Sequence, residues 1–240
     1  MRNLRILAAL GLLGAATAAN AELSSTWTLT NDYDFRGASQ SAKDPALQGS
    51  LDFSMDNGWY VGAWASNVDF CTSADEDDGC LESAYELDLY TGFSGGSDEG
   101  LGWDVGLVYY TYEESDLNYP EIYGKLSYGL FSGGLYYSND WVNSGESSVY
   151  VTGDVGIPLP SNFSINLHAG YSGGEFFSDA DTEYFDYSVG VGYTVGNFEL
   201  GLKYVDTNLD DDDAWASTDD IFNTEGRVIF TIATTFPWGE

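Results

Sequence analysis

Basic residues are scarce: the chain of 240 residues carries 7 Lys and Arg against 39 Asp and Glu, a formal net charge of -32. That balance excludes a nucleic-acid ligand, because releasing counterions from a polyanion requires a basic patch that so few cations cannot build. An anionic surface is disfavoured for the same reason. Histidine occurs once, at His168, cysteine twice, at Cys71 and Cys80, and methionine and proline are sparse, at 2 and 5 residues. Past the N-terminal segment no apolar run approaches the ~20 residues of a membrane helix, so no helical span is expected there. What is abundant is glycine (29), tyrosine (18), phenylalanine (13) and tryptophan (7), with charged residues at only 19%. An acidic disordered polymer would be poor in aromatics and rich in charge. This composition is that of a folded, turn-rich β protein, and its length suits one sizeable domain.

The N-terminus reads as a secretory signal peptide. Arg2 and Arg5 form a positive segment, Ile6 to Ala16 is apolar, and Ala19-Asn20-Ala21 is a small-x-small cleavage site. Cleavage after Ala21 is expected to separate a signal peptide, 1–21, from a mature domain, 22–240, and to sharpen the acid excess by removing two arginines. The apolar stretch is too short for a membrane anchor. No lipidation cysteine stands directly after the cleavage site, so no lipid anchor is expected.

The mature chain has a period of two. In Leu23 to Phe35, Leu23, Trp27, Leu29, Tyr33 and Phe35 stand on one parity, while Thr26, Thr28, Thr30, Asp32 and Asp34 stand on the other. That alternation is a half-buried strand. It recurs in Leu47 to Met55, Ser83 to Phe93, Leu101 to Tyr112, Tyr119 to Leu130, Val149 to Ile157, Phe163 to Ser172, Tyr184 to Val195, Asn197 to Val205 and Gly226 to Phe236. Two further strands are less clean, Trp59 to Phe70 and Gly134 to Asn139. About twelve strands result, each near the ~9 to 11 residues that cross a bilayer at a tilt.

The connections alternate as well. Short turns fall at Asp56-Asn57-Gly58, Gly95 to Gly100, Ser132-Gly133, Pro158 to Asn162 and Gly196-Asn197. Longer polar connections lie between them: Gly37 to Ala46, Cys71 to Glu82, Glu113 to Asn118, Asp140 to Ser148, Gly173 to Glu183 and Asp206 to Glu225. Such an order describes an all-β, antiparallel up-and-down sheet with both termini at the short-turn end. Closed in a membrane, it is a transmembrane β-barrel of about twelve strands with short periplasmic turns and long external loops. A soluble two-sheet sandwich is the competing architecture. Long strands, strict loop alternation, and tyrosines and tryptophans near strand ends favour the barrel, with the aromatics expected to face lipid. Outer-membrane lipid is then the expected surrounding. At the last strand, Val228, Phe230, Ile232 and Phe236 share the apolar parity, resembling the C-terminal signal read by barrel-assembly machinery, although Pro237-Trp238-Gly239-Glu240 follows it.

Three opening blocks resemble a known family. They are Asn31-Asp32-Tyr33-Asp34-Phe35-Arg36-Gly37-Ala38-Ser39-Gln40, then Asp44-Pro45-Ala46-Leu47-Gln48-Gly49-Ser50-Leu51-Asp52, then Gly58 to Phe70, with Trp59, Gly62, Trp64, Asn67 and Asp69. Together with Glu86-Leu87-Asp88-Leu89-Tyr90-Thr91-Gly92-Phe93 they resemble the TorF-type porin family, a Gcw_chp-type proteobacterial family of poorly defined function. The resemblance is strong over Leu23 to Tyr112, and the strand rhythm alone continues it afterwards. It implies an outer-membrane β-barrel with a porin role, and no particular solute.

In a barrel the polar parity faces the lumen. Its acids are Asp32, Asp34, Asp52, Glu86, Asp88, Asp104, Glu121, Asp154, Asp186 and Glu199, and its bases are Arg36, Lys125, Lys203 and Arg227, an excess of six negative charges. Such an interior favours small cationic or neutral solutes over anions. The plainer expectation for any one of these residues is an ion pair across the lumen that stiffens the barrel. A function from another class is a non-conducting barrel whose acidic loops serve surface interaction or adhesion.

The remaining acid is concentrated in loops. Asp75, Asp77 and Asp78 flank Glu76 in one, and Asp210, Asp211, Asp212 and Asp213 form another run. Clustered carboxylates could bind divalent cations weakly, but neither run has the spacing of a dedicated calcium loop, and a solvated surface is the first expectation. Cys71 and Cys80, nine positions apart, are expected to form a disulfide in an oxidising compartment. A thiol metal site is the alternative, without a histidine nearby. No cofactor is expected. Catalysis is not expected either: Ser164, Asn166 and His168 share a strand face, but residues two apart lie ~6.5 to 7 Å from each other and point side by side.

Overall fold

Side chains that alternate apolar and polar along an extended chain satisfy two surroundings at once, and this alternation builds the sheet. The computed structural model describes residues 21–70, 84–97, 100–113, 115–209 and 222–238. Its strands in chain order are β1 (Glu22–Thr30), β2 (Asp34–Phe35), β3 (Ala38–Ser39), β4 (Ala46–Ser54), β5 (Trp59–Asn67), β6 (Tyr85–Gly96) and β7 (Leu101–Tyr112). They continue with β8 (Tyr119–Tyr128), β9 (Phe131–Ser138), β10 (Ser148–Pro158), β11 (Phe163–Gly173), β12 (Tyr184–Val195), β13 (Phe198–Thr207) and β14 (Arg227–Phe236). A single short α-helix, α1 (Glu175–Asp179), lies between β11 and β12 among the described residues, with 3-10 turns at Trp141–Asn143 and Pro160–Asn162.

Twelve strands close into a barrel: β4 to β14 follow one another in chain order, and β1 completes the ring between β14 and β4. Every pair is antiparallel; in β6 and β7, Glu86 lies opposite Tyr112, Asp88 opposite Tyr110 and Ser94 opposite Asp104. Closure leaves no strand edge unpaired, the condition for a sheet to sit in lipid. The expected up-and-down barrel is therefore present. Short turns gather at one end and long connections at the other. At Gly58, with φ +87°, a Cβ would fall 2.2 Å from the Ser94 carbonyl oxygen, so the first short turn requires glycine.

Three departures from the sequence expectation alter the path of the chain by more than a frayed strand end. The stretch Leu23 to Phe35 is not one strand: β1 ends at Thr30, and 31–45 turns back into the barrel, with β2 and β3 pairing only with each other. The alternation that continues through Tyr33 and Phe35 belongs to this inserted hairpin. The stretch Trp59 to Phe70 shortens to β5, ending at Asn67. Between β8 and β9 the turn is Gly129-Leu130, with Gly129 at φ +61°, not Ser132-Gly133. Ser132 and Gly133 instead pair across to β8 and β10.

The two faces of the wall differ in chemistry. Leu23, Leu51, Leu89, Val105, Ile122, Leu135, Val189 and Val228 project outward and are exposed, Leu23 at 59% and Ile122 at 58%. A continuous apolar belt of this kind has lipid as its natural solvent. Outward aromatics include Phe93, Trp103, Tyr109, Tyr128 and Phe131. The expectation that the aromatics face lipid fails for a second set. Tyr33, Tyr110, Tyr112, Tyr119, Trp141, Tyr150, Phe177 and Tyr184 are buried inside.

Candidate functional site

The site is the barrel interior, and it is assembled by the inward parity of each strand. All the lumen residues expected from sequence lie on the inner side, but not all on the wall. Asp32, Asp34 and Arg36 belong to the inserted segment 31–45, whereas Asp52 stands on β4, Glu86 and Asp88 on β6, Asp104 on β7, and Glu121 and Lys125 on β8. Asp154 is on β10, Asp186 on β12, Glu199 and Lys203 on β13, and Arg227 on β14.

The inserted hairpin is strapped across the lumen. On one side, Arg227 donates from Nε to Asp32, from Nη2 to Asp34 at 2.7 Å and from Nη1 to the Gly37 carbonyl at 2.8 Å. Lys203 joins Asp34 at 2.7 Å. On the other, Arg36 Nη2 donates to both oxygens of Glu121 at 2.7 and 2.9 Å, and between the two sides Tyr184 of β12 donates its hydroxyl to the Arg36 carbonyl at 2.9 Å. In the ring order β14 and β8 are separated by half the circumference, so these anchors span the barrel. Burial pushes the Asp34 carboxyl up, but Lys203 and Arg227 outweigh it and hold it below the ordinary carboxylate range. Breaking one member of such a buried pair costs about 3–5 kcal/mol, because the other charge is stranded.

Aromatic rings fill the space around the hairpin. Phe35 packs on Tyr110 and Trp141, Tyr110 stacks on Tyr119 with centroids 4.6 Å apart, and Trp141 meets Tyr119 and Phe177. Each such pair adds about 0.5–1.5 kcal/mol beyond the area it buries. Glu86 and Asp88 lie in the same packed half; Tyr112 donates to Glu86 at 3.0 Å, and Glu86 Oε2 and Asp88 Oδ1 are buried without a hydrogen-bond partner.

Toward the short-turn end the interior opens. Ser127 and Asn166, both on the inner parity, are exposed. Lys125 faces Asp104 at 3.7 Å with both side chains 28% exposed, while Tyr60 donates to Asp104 at 2.5 Å and meets the Tyr123 hydroxyl. Asp52 accepts from Tyr90 and, at 2.7 Å, from Ser50. Glu199 is half-exposed near the turn between β12 and β13. His168 lies at mid-depth, with Nδ1 2.7 Å from Asp154, and with Nε2 2.8 Å from Asp186 and 3.0 Å from the Tyr150 hydroxyl. Ser164 receives a hydrogen bond from Asn166 at 3.2 Å, so His168 and Ser164 are engaged with different partners. Of the interior acids, Asp32, Asp34, Asp104 and Glu121 have a Lys or Arg partner.

The interior tyrosines are lining residues that the sequence expectation does not include. The signal was present. Tyr110 and Tyr112 stand on the parity of Asp104, Tyr119 and Tyr123 on that of Glu121 and Lys125, and Tyr150 on that of Asp154. The Cys71–Cys80 disulfide, the carboxylates Asp75, Asp77, Asp78 and Asp210, Asp211, Asp212, Asp213, and the signal sequence through Asn20 lie outside the described residues.

A closed antiparallel barrel with an apolar outside and a charged inside is a porin-type fold. Solved structures with this architecture include the KdgM porin in complex with disordered oligogalacturonate (TM-score 0.54, 8% identity, covering 90% of this chain and 99% of that one). The NanC porin is similar to the same degree (TM-score 0.54, 11% identity, covering 90% and 99%). A search of curated proteins finds no sequence match. The chain belongs to the family described as "Bacterial protein of unknown function (Gcw_chp)", whose model matches residues 14–236.

Proposed function

We propose that this protein is an outer-membrane porin through which small cationic or neutral solutes diffuse passively. The observation that carries the reading is a closed barrel with an apolar outer face and, inside, ten carboxylates against four Lys and Arg. Lipid solvates the outer face and fixed negative charge inside enriches cations. In this reading the wall charges Asp52, Glu86, Asp88, Asp104, Asp154, Asp186 and Glu199 set the field along the path. Arg36, Lys203 and Arg227, with Asp32, Asp34 and Glu121, hold the inserted hairpin. Residues 1–21 act as a cleavable signal peptide ahead of a barrel domain, 22–240, that assembly machinery recognises through the strand ending at Phe236. A Cys71–Cys80 disulfide pins one acidic external loop, and that loop and the Asp210 to Asp213 run bind divalent cations weakly at most. The TorF-type assignment rests on the opening blocks of sequence.

Refolded protein in a planar bilayer tests this. Discrete conductance steps are expected, with a reversal potential across a salt gradient on the cation-selective side. Absence of steps, or anion selectivity, would overturn it. A second reading is favoured by the packed loop-end interior: a non-conducting barrel whose acidic loops meet other surfaces. Steps that persist in the wild-type protein would remove that reading.

A further inference from the structure

The tip of the inserted hairpin occupies a site built for a cation. Arg36 and Gly37 are the two residues between β2 and β3, with φ of +52° and +84°. A turn with two positive φ values is adopted with least strain by Asn, Asp or Gly. An arginine there is not explained by the turn. Its surroundings explain it: the guanidinium carbon lies 4.7 Å from the ring centre of Phe35, 5.3 Å from Tyr136, 5.1 Å from Trp141 and 4.4 Å from Tyr150. Glu121, its side chain 0% exposed, forms the floor, and Tyr110 donates to the same carboxylate at 3.0 Å.

Aromatic faces around a carboxylate recognise a planar, weakly hydrated cation better than a compact ammonium. Glu121, Tyr136 and Tyr150 belong to β8, β9 and β10, whereas the cation arrives on a hairpin whose strands pair only with each other. The carboxylate and two of the rings, Tyr136 and Tyr150, are therefore part of the barrel wall, Trp141 stands in the connection after β9, and only Phe35 arrives on the hairpin with the cation. We infer that this cage is a guanidinium-recognition site occupied by the protein's own Arg36 as a tethered ligand, and that solutes bearing a guanidinium group compete with Arg36 for it and displace the hairpin. Tethering gives Arg36 a high effective concentration, so free solutes exchange with it only when abundant. The solute side of this inference rests on the channel reading above; the cage itself does not.

The test uses the full mature chain refolded in detergent, as wild type and as Arg36→Ala, titrated with methylguanidinium, methylammonium or sodium chloride at matched ionic strength. Methylguanidinium is expected to raise the unfolding midpoint of Arg36→Ala in a saturable way and to change its tryptophan fluorescence through Trp141. Methylammonium should do much less, sodium nothing comparable, and the wild type should not respond over the same range. If Arg36→Ala refolds poorly, methylguanidinium added during refolding should restore its yield. The inference is overturned if methylguanidinium gives Arg36→Ala no stabilisation or rescue beyond that of sodium, or stabilises wild type equally. Bilayer recordings separate the two readings: binding to Arg36→Ala without conductance in any form would sink the channel and leave the cage. A conducting Arg36→Ala that methylguanidinium neither blocks nor stabilises would sink the cage and leave the channel.

Discussion

The two halves of the barrel interior are lined by the same strands but solve opposite problems. Near the long connections the lumen is packed: Tyr119, Phe177, Glu86 and Glu121 are each 1% exposed, and the hairpin is bound on both sides by arginine–carboxylate pairs. Near the short turns the lining is polar and looser, Asn166 and Ser127 reach solvent, and the Lys125–Asp104 pair is partly hydrated. One half is a protein core turned inside out, the other a wetted vestibule. Wall diameter alone therefore does not set the free space inside the ring; segment 31–45, anchored on both sides, fills one half of it. The contrast also separates two kinds of charge, since a buried pair is expensive to break whereas an exposed one is nearly neutral for stability.

Removing Arg227 is the largest way to break this contrast. Arg227→Ala strands Asp32 in the packed half, leaves Asp34 with Lys203 as its one cation among the described residues, and should cost about 3–5 kcal/mol in denaturant unfolding, with a rise in conductance as the hairpin loosens. A loss below about 1 kcal/mol, the range of exposed pairs, would show that the hairpin is not anchored as described. Acid is a milder route to the same end. Asp34 has its pKa depressed when folded, so its contribution is fully present above the unfolded value near ~3.9 and disappears as pH falls through the lower folded value. Bilayer conductance should therefore be steady down to about pH 4 and increase only in stronger acid; an increase already at neutral pH would point to another anchor. Lys125→Ala, in the open half, is the smallest change. Stability should shift by no more than about 1 kcal/mol because both partners are hydrated, while the reversal potential moves toward stronger cation selectivity. An unchanged reversal potential would place Lys125 outside the solute path.

How much of this was legible in the sequence depends on what each residue had to satisfy. β6, β7 and β12 were readable within a few residues because their neighbours on both sides impose a period of two along their whole length. The sequence pattern runs past the end of β1 because the inserted hairpin obeys the same alternation: Tyr33 and Phe35 are apolar on the parity of Leu29, yet they enter an aromatic core instead of lipid. Ser132-Gly133 and Gly129-Leu130 are equally good turn chemistry between β8 and β9, and register with β10 decides between them. Parity grouped Tyr110 and Tyr150 with the acids, and their bulk was what suggested lipid.

The barrel, its inward and outward parities and the excess of acid along the inner one are local consequences of alternation, turn residues and the scarcity of basic residues, and so are written in the order of the residues. Which half of the lumen is packed, and that Arg36 meets Glu121 and Arg227 meets Asp32 and Asp34, follows from the folded ring alone. Those partners are separated by 85, 195 and 193 positions in the chain. Contacts of that range are set by ring closure and by the path of one connection through the interior, and no local pattern encodes either.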